Sequence, residues 1–249
     1  MTAPVEVRVK HRYSYDHLKS AIFFAKNARE LEQKYENTFE SLPPDKQTTI
    51  REEYSAFVTS ATILSVAFIE GHINEFFDNI SGKKSESQSS GPIINKLYED
   101  YSENFKIIQS IFYYKEDIYD RLSLLKKYDF ALACFNKEPF EKGKNPYQDI
   151  NLIIKLRNSL VHYYPEYHPA QIEGMEDEQH QIEKQLQKKF ALNPFYENTG
   201  NPFFPYKCLS YGSAKWAIKT SYKFVNKFYS KFDLESEYDD IIKTLDVKK

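Results

Sequence analysis

The chain has 249 residues, a length that suits one domain or one domain with a large insertion. Hydrophobic residues make up 41% of it and charged residues 28%, which argues against both a disordered tail and an integral membrane protein. The net charge of −2 is not that of a strongly basic nucleic-acid binder, so any nucleic-acid contact must be local. Seven glycines are few for the tight turns of an all-β sandwich, and the composition therefore favours an all-α fold.

Cysteine usage and the N-terminal sequence favour a cytoplasmic location. Cys134 and Cys208 are too few for a disulfide framework and fit a reducing compartment. The opening sequence MTAPVEVRVKHRY lacks the apolar core of a signal peptide. No stretch approaches the ~20 apolar residues that a membrane span needs, so we expect a cytoplasmic protein without a membrane partner.

The first third of the chain predicts an arm followed by two long helices. Residues 1–13 alternate apolar and charged side chains and could be a short strand or an arm, and Ser14 is a plausible N-cap of the first helix. The sequence LPPDK ends that helix, and Asp45 or Pro44 opens a second one that runs to about Ile80. The second helix is apolar on most faces in its middle and should lie at the centre of the fold.

The rest of the chain predicts further helices joined by polar or aromatic segments. These are a polar loop at 81–92, helices at 93–112 and 115–135 that are split near Tyr113 and Tyr114, a helix with Asn145 as N-cap and Pro146 at its first position, an exposed polar helix at 170–190, an ordered aromatic loop at 193–212, a last clear helix at 213–232 and a short helix ending near 245.

Arg157 interrupts the apolar face of the helix in the sequence INLIIKLRNSLVHYYP. A buried guanidinium needs an anionic or polar partner. Arg also differs from Lys in its permanent charge and its fork of donors, which suit phosphate or carboxylate. At helical spacing Arg157 shares one side with the apolar or aromatic residues Ile150, Ile153, Ile154, Val161 and Tyr164.

Asn158 and His162 follow Arg157 and are one helical turn apart, so the amide of Asn158 can bind and orient the imidazole. Pro165 disfavours helical backbone at Tyr164 and should end the helix there. His162 then lies in the last turn, where the helix dipole favours an imidazolium that can exchange protons near neutral pH.

The sequence RNSLVHYY, residues 157–164, resembles the R-x4-6-H motif of the HEPN superfamily, small all-helical domains of which many are metal-independent endoribonucleases. A polar residue directly after the Arg, a position late in an apolar helix and a Pro-containing loop behind it add to the resemblance. Tyr164 completes the R-x4-H-x-Y form of HEPN toxins paired with nucleotidyltransferase antitoxins, in which this tyrosine can be modified to silence the toxin. The resemblance implies a HEPN-like helical bundle, which we place in a single domain at 14–249. The extra helices, the long aromatic loop and the insertion at 166–212 have no counterpart in the motif.

The same resemblance implies an endoribonuclease that acts as a toxin or phage-defence effector and needs neither metal nor cofactor. Arg157 would hold the scissile phosphate and stabilise charge in the transition state. His162 would remove a proton from the attacking 2′-hydroxyl or donate one to the leaving 5′-oxygen, and the product would carry a 2′,3′-cyclic phosphate. Asn158 would orient the imidazole of His162. The expected partners are RNA, a second copy of the chain that completes a composite site, and an antitoxin or regulatory protein.

Arg12 and His17 have the same spacing as Arg157 and His162. With Ser14 as the N-cap, Arg12 lies outside the first helix and His17 lies in its first turn, where the helix dipole opposes imidazolium. We therefore interpret this pair as unrelated to the motif.

Glu70 and Asn74 lie one turn apart on the apolar second helix and should face an interior polar pocket. There they could bind and orient Arg157, although an acid that satisfies an unrelated buried donor is as good an interpretation. His72 on the same helix has no second ligand four residues away, which makes a metal site a poor interpretation.

A run of lysines at four-residue spacing on the last helix forms a slowly wrapping ridge that could follow an RNA backbone. The common alternative is the solvated face of an amphipathic helix. The RNA-binding candidates are Lys215, Lys219, Lys223 and Lys227.

A second hypothesis assigns the chain to another class of protein. It would be a non-catalytic helical RNA-binding or protein-interaction module of a defence system, in which Arg157 and His162 hold the fold or a dimer interface together.

Overall fold

The computed structural model describes residues 11–80, 92–162, 182–197 and 199–246, apart from the side chains of 92–94 and 112–118. All regular secondary structure in these ranges is helical, which confirms the all-α prediction. The helices are α1 (Tyr13–Tyr35), α2 (Pro44–Ile80), α3 (Pro92–Asp120), α4 (Leu124–Cys134), α5 (Tyr147–Val161), α6 (Glu183–Leu186), α7 (Tyr211–Ser230) and α8 (Asp239–Lys243), with 3-10 turns at Phe39–Ser41 and Thr244–Asp246 and a short π-helical segment at Phe203–Lys207.

Several predicted segments lie largely outside the described residues. These are most of the N-terminal arm at 1–13, nearly all of the polar loop at 81–92 and the first part of the insertion at 166–212. The proposed single domain at 14–249 stays a prediction.

α2 is the central helix, as its apolar sequence predicts. Each of its turns from Ile50 to Ile80 contributes at least one buried residue, and α1, α5 and α7 all pack on it. Aromatic rings join α2 to the end of the chain: Phe76 lies 5.1 Å from Phe228 and 6.0 Å from Phe232 between ring centroids. The burial of these large side chains supplies most of the free energy that holds the bundle together.

α2 is also long and apolar enough to cross a membrane, judged by length and composition alone. An 18-residue window of it has a mean hydropathy of 1.5, and half of that window is buried inside the fold. The expectation that no stretch approaches the size of a membrane span is therefore wrong for this helix. The core helix of a helical bundle produces the same pattern, because its residues must be apolar on every face that a neighbouring helix covers.

Gly71 allows the start of α1 to lie directly against α2. A Cβ atom at this position would be 3.2 Å from the backbone nitrogen of Ser14 and 3.3 Å from its Cα. Ser14 donates hydrogen bonds to Glu75 of α2 from its backbone N–H (2.8 Å) and from its hydroxyl (2.6 Å). The predicted N-cap is thus wrong by two residues: Ser14 is inside α1, and Arg12 takes the N-cap position.

The predicted split near Tyr113 and Tyr114 is also wrong. α3 continues as one helix to Asp120, and α4 begins after Ser123, which is its N-cap residue. Aromatic residues lower helix propensity by only tenths of a kcal/mol, roughly, and neither glycine nor proline is present to end the helix at that point. Ser is favoured at an N-cap because it competes with helical hydrogen bonding, so the better signal was Ser123.

The second half of the insertion contains less helix than predicted. The described part of the expected helix at 170–190 forms only the single turn of α6, and Leu186 of that turn is buried. α7 begins at Tyr211, two residues earlier than predicted, because Ser210 and Ser213 form a reciprocal capping box at its start.

The aromatic loop at 193–212 is anchored to the bundle, as predicted. Asn193 donates to the carbonyl of Leu209 at 2.9 Å and accepts from the N–H of Phe195 at 3.0 Å. Phe195 is buried, and its carbonyl accepts a hydrogen bond from Arg51 of α2. The rings here serve the packing of the loop against α2.

Candidate active site on helix α5

α5 packs one side on α2 and α7 and brings its C-terminal end to the surface. Its N-cap is Pro146, one residue later than predicted. Its buried residues are Ile150, Leu152, Ile153 and Leu156. Val161 follows Leu156 by five residues, or about 140° around the helix. It is 49% exposed, so its predicted place on the buried side is wrong.

Arg157 lies at the edge of the buried side of α5, with its side chain 23% exposed. Its Nη2 atom is 3.8 Å from Oε2 of Glu70 on α2, which is an ion pair without hydrogen-bond contact. Its Nε atom is covered from solvent and has no hydrogen-bond partner within the described part of the chain. The guanidinium is therefore held beside α2 while most of its donor capacity is unused by protein carboxylates there.

Glu70 pairs with Arg157 as predicted, but the predicted interior pocket is wrong. The Glu70 side chain is 49% exposed, and Asn74 is exposed as well. The buried residues of this part of α2 are Ile69, His72, Ile73 and Phe76, and Glu70 and Asn74 lie on the uncovered strip beside them. The sequence is apolar on most faces here, so the pattern alone did not identify the strip that neighbouring helices leave open.

Asn74 does not bind Arg157 but links α2 to α3 and α4. Its Oδ1 atom accepts a hydrogen bond from the hydroxyl of Tyr119 at 2.8 Å and one from Nζ of Lys127 at 3.1 Å. Lys127 Nζ also lies 4.2 Å from the centroid of the Tyr119 ring. Burial raises the pKa of Tyr119, and the charges of nearby Asp120 and Glu70 raise it further. The Tyr119 hydroxyl is thus a neutral donor beside the Arg157–Glu70 pair.

Sequence reasoning missed Tyr119 and Lys127. They are 45 and 53 residues from Asn74 and lie on different helices, so no local spacing relates them to the motif. A lysine on a helix that carries both apolar and polar residues is ordinarily interpreted as a solvated charge.

His162 is exposed and follows the last residue of α5. It is the C-cap, with φ −107° and ψ 46°, and its backbone N–H donates to the carbonyl of Asn158 at 2.8 Å. Asn158 is also exposed, and the backbone bond is the hydrogen bond that the structure describes between these two residues. The expected bond between amide and imidazole is therefore not formed, because the chain leaves the helix at His162. Tyr164 and Pro165 lie outside the described residues.

Arg157 and His162 point in different directions within one chain. Five residues along a helix turn the side chain by about 140° and move it by about 7.5 Å. Arg157 leans on α2, while His162 faces solvent at the end of α5. The two motif side chains of one chain therefore do not converge on a common point.

The lysine ridge of α7 is only partly available to a ligand. Lys215 and Lys219 each lie 2.7 Å from a carboxylate oxygen of Asp246, and these two hydrogen bonds lower the pKa of Asp246 to about 2. Lys223 and Lys227 are exposed. The ridge thus divides into a neutralised N-terminal half, which lies beside Asp246, and an open C-terminal half.

The other motif-like arginine, Arg12, is engaged by two carboxylates. Its two terminal nitrogens bind both oxygens of Glu237, and its Nε is 3.6 Å from Glu75. Tyr229 donates to Glu237 at 3.2 Å. This bidentate arrangement joins the start of α1 to α2 and to the segment before α8.

In the core, His72 lies beside the cluster that Arg12 forms with Glu237 and Glu75. Its Nδ1 is 2.8 Å from the hydroxyl of Tyr128, which itself donates to the carbonyl of Ile69. Since the phenol has one proton to donate, Nδ1 of the imidazole must carry the other. Burial lowers the pKa of His72 to about 3, so this imidazole is neutral and structural.

A surface pocket of about 620 Å³ lies at the opposite end of α5 from His162. It is lined by residues that include Lys142, Tyr147, Gln148 and Lys189. The length of the helix separates it from His162 by about 20 Å, so it belongs to a different surface from the motif.

Comparison with known proteins gave no match: no family model, no curated protein and no solved structure matches the chain. The HEPN resemblance consequently rests on the residues of the motif and on the all-helical fold around them.

Proposed function

We propose that this protein is a metal-independent endoribonuclease of the HEPN type, which cleaves RNA to 2′,3′-cyclic phosphate ends as a toxin or phage-defence effector in the cytoplasm. The observation that carries the proposal is the end of α5. Arg157 is held there with most of its donors unused by carboxylates, and His162, five residues later, is exposed. His162 takes no part in the packing of the bundle, and the guanidinium of Arg157, although largely buried beside α2, has no carboxylate within hydrogen-bond distance among the described residues.

Each residue has a role that its surroundings allow. The guanidinium of Arg157 binds the scissile phosphate and stabilises the charge that grows on it in the transition state. His162 removes the proton of the 2′-hydroxyl, whose oxygen attacks phosphorus, or gives a proton to the 5′-oxygen as the bond to it breaks. Asn158, exposed on the same turn, contacts the RNA or the imidazole once the substrate is bound.

A homodimer supplies the missing geometry. One imidazole cannot remove and donate a proton at the same moment, and the two motif side chains of one chain diverge. Two copies of α5 that meet near His162 would place two imidazoles and two guanidinium groups around one phosphate. The exposed apolar side chain of Val161, next to His162, supports a protein contact at this end of α5.

The alternative, a non-catalytic RNA-binding or interaction module, is favoured by the Arg157–Glu70 ion pair. If the pair serves only to join α5 to α2, Arg157 has a structural role and no catalytic role is required of it. The Tyr164 modification and an antitoxin partner remain part of the first proposal alone.

The two functions separate in one experiment with mixed-sequence RNA in EDTA. We expect cleavage by the wild-type protein, a loss of at least about 100-fold in Arg157→Ala and His162→Ala, and unchanged activity in the matched control His17→Ala. Because His162 is exposed, its loss should leave the thermal transition in place. Intact RNA with folded wild-type protein would favour the non-catalytic module. A His162→Ala variant that cleaves normally would show that His162 is not the group that moves protons in the reaction.

A further inference from the structure

We propose that Lys127 is a second phosphate-binding residue, which holds the RNA strand one turn along α2 from the Arg157 site. The inference rests on the proposed function, because it takes RNA as the ligand. It adds a residue outside the motif and a direction for the strand, from the end of α5 towards the junction of α3 and α4.

The geometry of the uncovered strip of α2 places the two cations next to each other. Glu70 and Asn74 are consecutive along this strip, about 6 Å apart along the helix axis. Arg157 lies beside Glu70 at 3.8 Å, and Lys127 lies beside Asn74 at 3.1 Å. The guanidinium of Arg157 on α5 and the ammonium of Lys127 on α4 therefore lie beside neighbouring turns of α2, next to the two exposed residues Glu70 and Asn74.

Lys127 is positioned without being neutralised. Within the described residues its ammonium is held by the neutral oxygen of Asn74 and by the face of the Tyr119 ring. Lys189, Lys215 and Lys219, by contrast, each lie within 2.7 Å of an aspartate oxygen. An ammonium that is oriented by neutral groups keeps its full charge for a ligand, and its remaining donors are free to bind an anion.

The surroundings of Lys127 also restrict its movement. Tyr119 is pinned by its hydrogen bond to Asn74 and packs 4.7 Å from Phe77, so the ring beneath the ammonium is fixed by the core. A lysine that is already ordered loses less conformational entropy when it binds a phosphate. The exposed Lys126, its neighbour in sequence, provides a control of equal charge on the same helix.

The test measures binding of a labelled single-stranded RNA at several salt concentrations in the His162→Ala background, which prevents cleavage. We expect Lys127→Ala to weaken binding about 10-fold and to lower the salt slope by about 0.7, the value for one lost phosphate contact on a single strand. Lys127→Arg should restore binding, and Lys126→Ala should match the parent. In the cleaving enzyme, Lys127→Ala should raise KM and leave kcat nearly unchanged.

A second variant keeps the inference testable if Lys127→Ala fails to fold. Asn74→Asp gives Lys127 a carboxylate partner and should weaken RNA binding by a similar factor without removing any cation. If Lys127→Ala binds RNA like Lys126→Ala while Arg157→Ala abolishes cleavage, the Lys127 site is wrong and the proposed function stands. A weaker affinity with an unchanged salt slope also overturns it, and wild-type protein that neither binds nor cleaves RNA overturns both proposals.

Discussion

Two arginines of this chain have a histidine five residues later, and the fold uses them in opposite ways. Arg12 binds both oxygens of Glu237 and is close to Glu75, so its donors are taken up by a polar cluster that joins the start of α1 to the rest of the bundle. Arg157 has one distant carboxylate, Glu70, and a covered nitrogen with no partner among the described residues. The spacing of the two pairs is identical, but the carboxylates around the two arginines differ, as do the positions of the arginines in their helices.

The difference shows how to interpret an arginine in a motif. An arginine whose guanidinium donors are bound by an ordered carboxylate stabilises the fold and has few donors available for a ligand. An arginine that is held by packing but lacks such a carboxylate keeps its donors for an anion that arrives later. We therefore expect mutation of the first cluster to change mainly stability, and mutation of the second to change mainly the proposed RNA cleavage.

The largest stability effect should come from the buried imidazole in the first cluster. The pKa of His72 is lowered by burial from 6.5 to about 3, whereas in the unfolded chain the imidazole titrates normally. The unfolded state therefore binds a proton first, and stability that is complete above pH 6.5 is lost as the pH falls from 6.5 towards 3, by about 1.4 kcal/mol per pH unit. When the free energy of unfolding is measured with urea at pH 7, 6 and 5, it should depend on pH less steeply in His72→Phe than in wild type, by this amount.

The control for this measurement is His162→Ala, which removes an exposed imidazole and should keep the wild-type slope. Equal slopes in His72→Phe and wild type would show that folding does not lower the pKa of His72 and that the burial argument is wrong.

A smaller loss is expected when Arg12 is removed. Arg12→Ala leaves Glu237 and Glu75 without their cation and should lower the free energy of unfolding by about 1–3 kcal/mol at pH 7. Arg157→Ala should cost less than about 1 kcal/mol, because its ion pair is long and its partner Glu70 is half exposed. Thermal unfolding of the two variants, side by side, measures the contrast.

The pH dependence of the Arg12→Ala deficit has a defined sign. Burial alone would raise the pKa of Glu237, and the hydrogen bonds and charge of Arg12 outweigh it, so the net pKa is lowered from 4.5. In the wild-type protein, the stability that the Arg12–Glu237 pair contributes is present above pH 4.5. It is lost as the pH falls through the lowered pKa of Glu237. Without Arg12 the carboxyl protonates more readily, and the deficit should narrow on acidification; a deficit that widens would contradict the assignment.

The smallest effect should come from Glu70→Gln. The substitution removes a carboxylate at 3.8 Å from Arg157 and should change the free energy of unfolding by less than about 0.5 kcal/mol. Glu237→Gln, the matched change beside Arg12, should cost clearly more in the same thermal assay. Equal costs would mean that Arg157 is as fully engaged as Arg12, and the contrast between the two clusters would be lost.

The sequence predicted the elements whose signals are local. α2 and α7 appear close to their expected bounds because apolar residues recur at helical spacing over many turns. Single-residue boundaries were less secure, as the misplaced N-cap of α1 shows, since the hydrogen bonds of Ser14 go to Glu75, 61 residues away.

The candidate site was predicted in part for the same reason. Arg157, Asn158 and His162 are neighbours in the chain, so a pattern can contain them. The exposure of Glu70, the engagement of Arg12 by Glu237 and the position of Lys127 beside Asn74 depend on which helices cover which side of α2. Those contacts join residues far apart in the chain, and no short window holds the information.

The place of α2 in the chain has a consequence for synthesis. α2 is complete when the ribosome reaches Ile80, but α7, whose Phe228 covers Phe76, ends only at Ser230. At about 5–20 residues per second the uncovered face of α2 waits roughly 8–30 s for its partner. During that interval the nascent chain exposes a long apolar helix of the kind that chaperones and membranes bind. We therefore expect the yield of folded protein to depend on whether a chaperone shields this face of α2 until α7 has been synthesised.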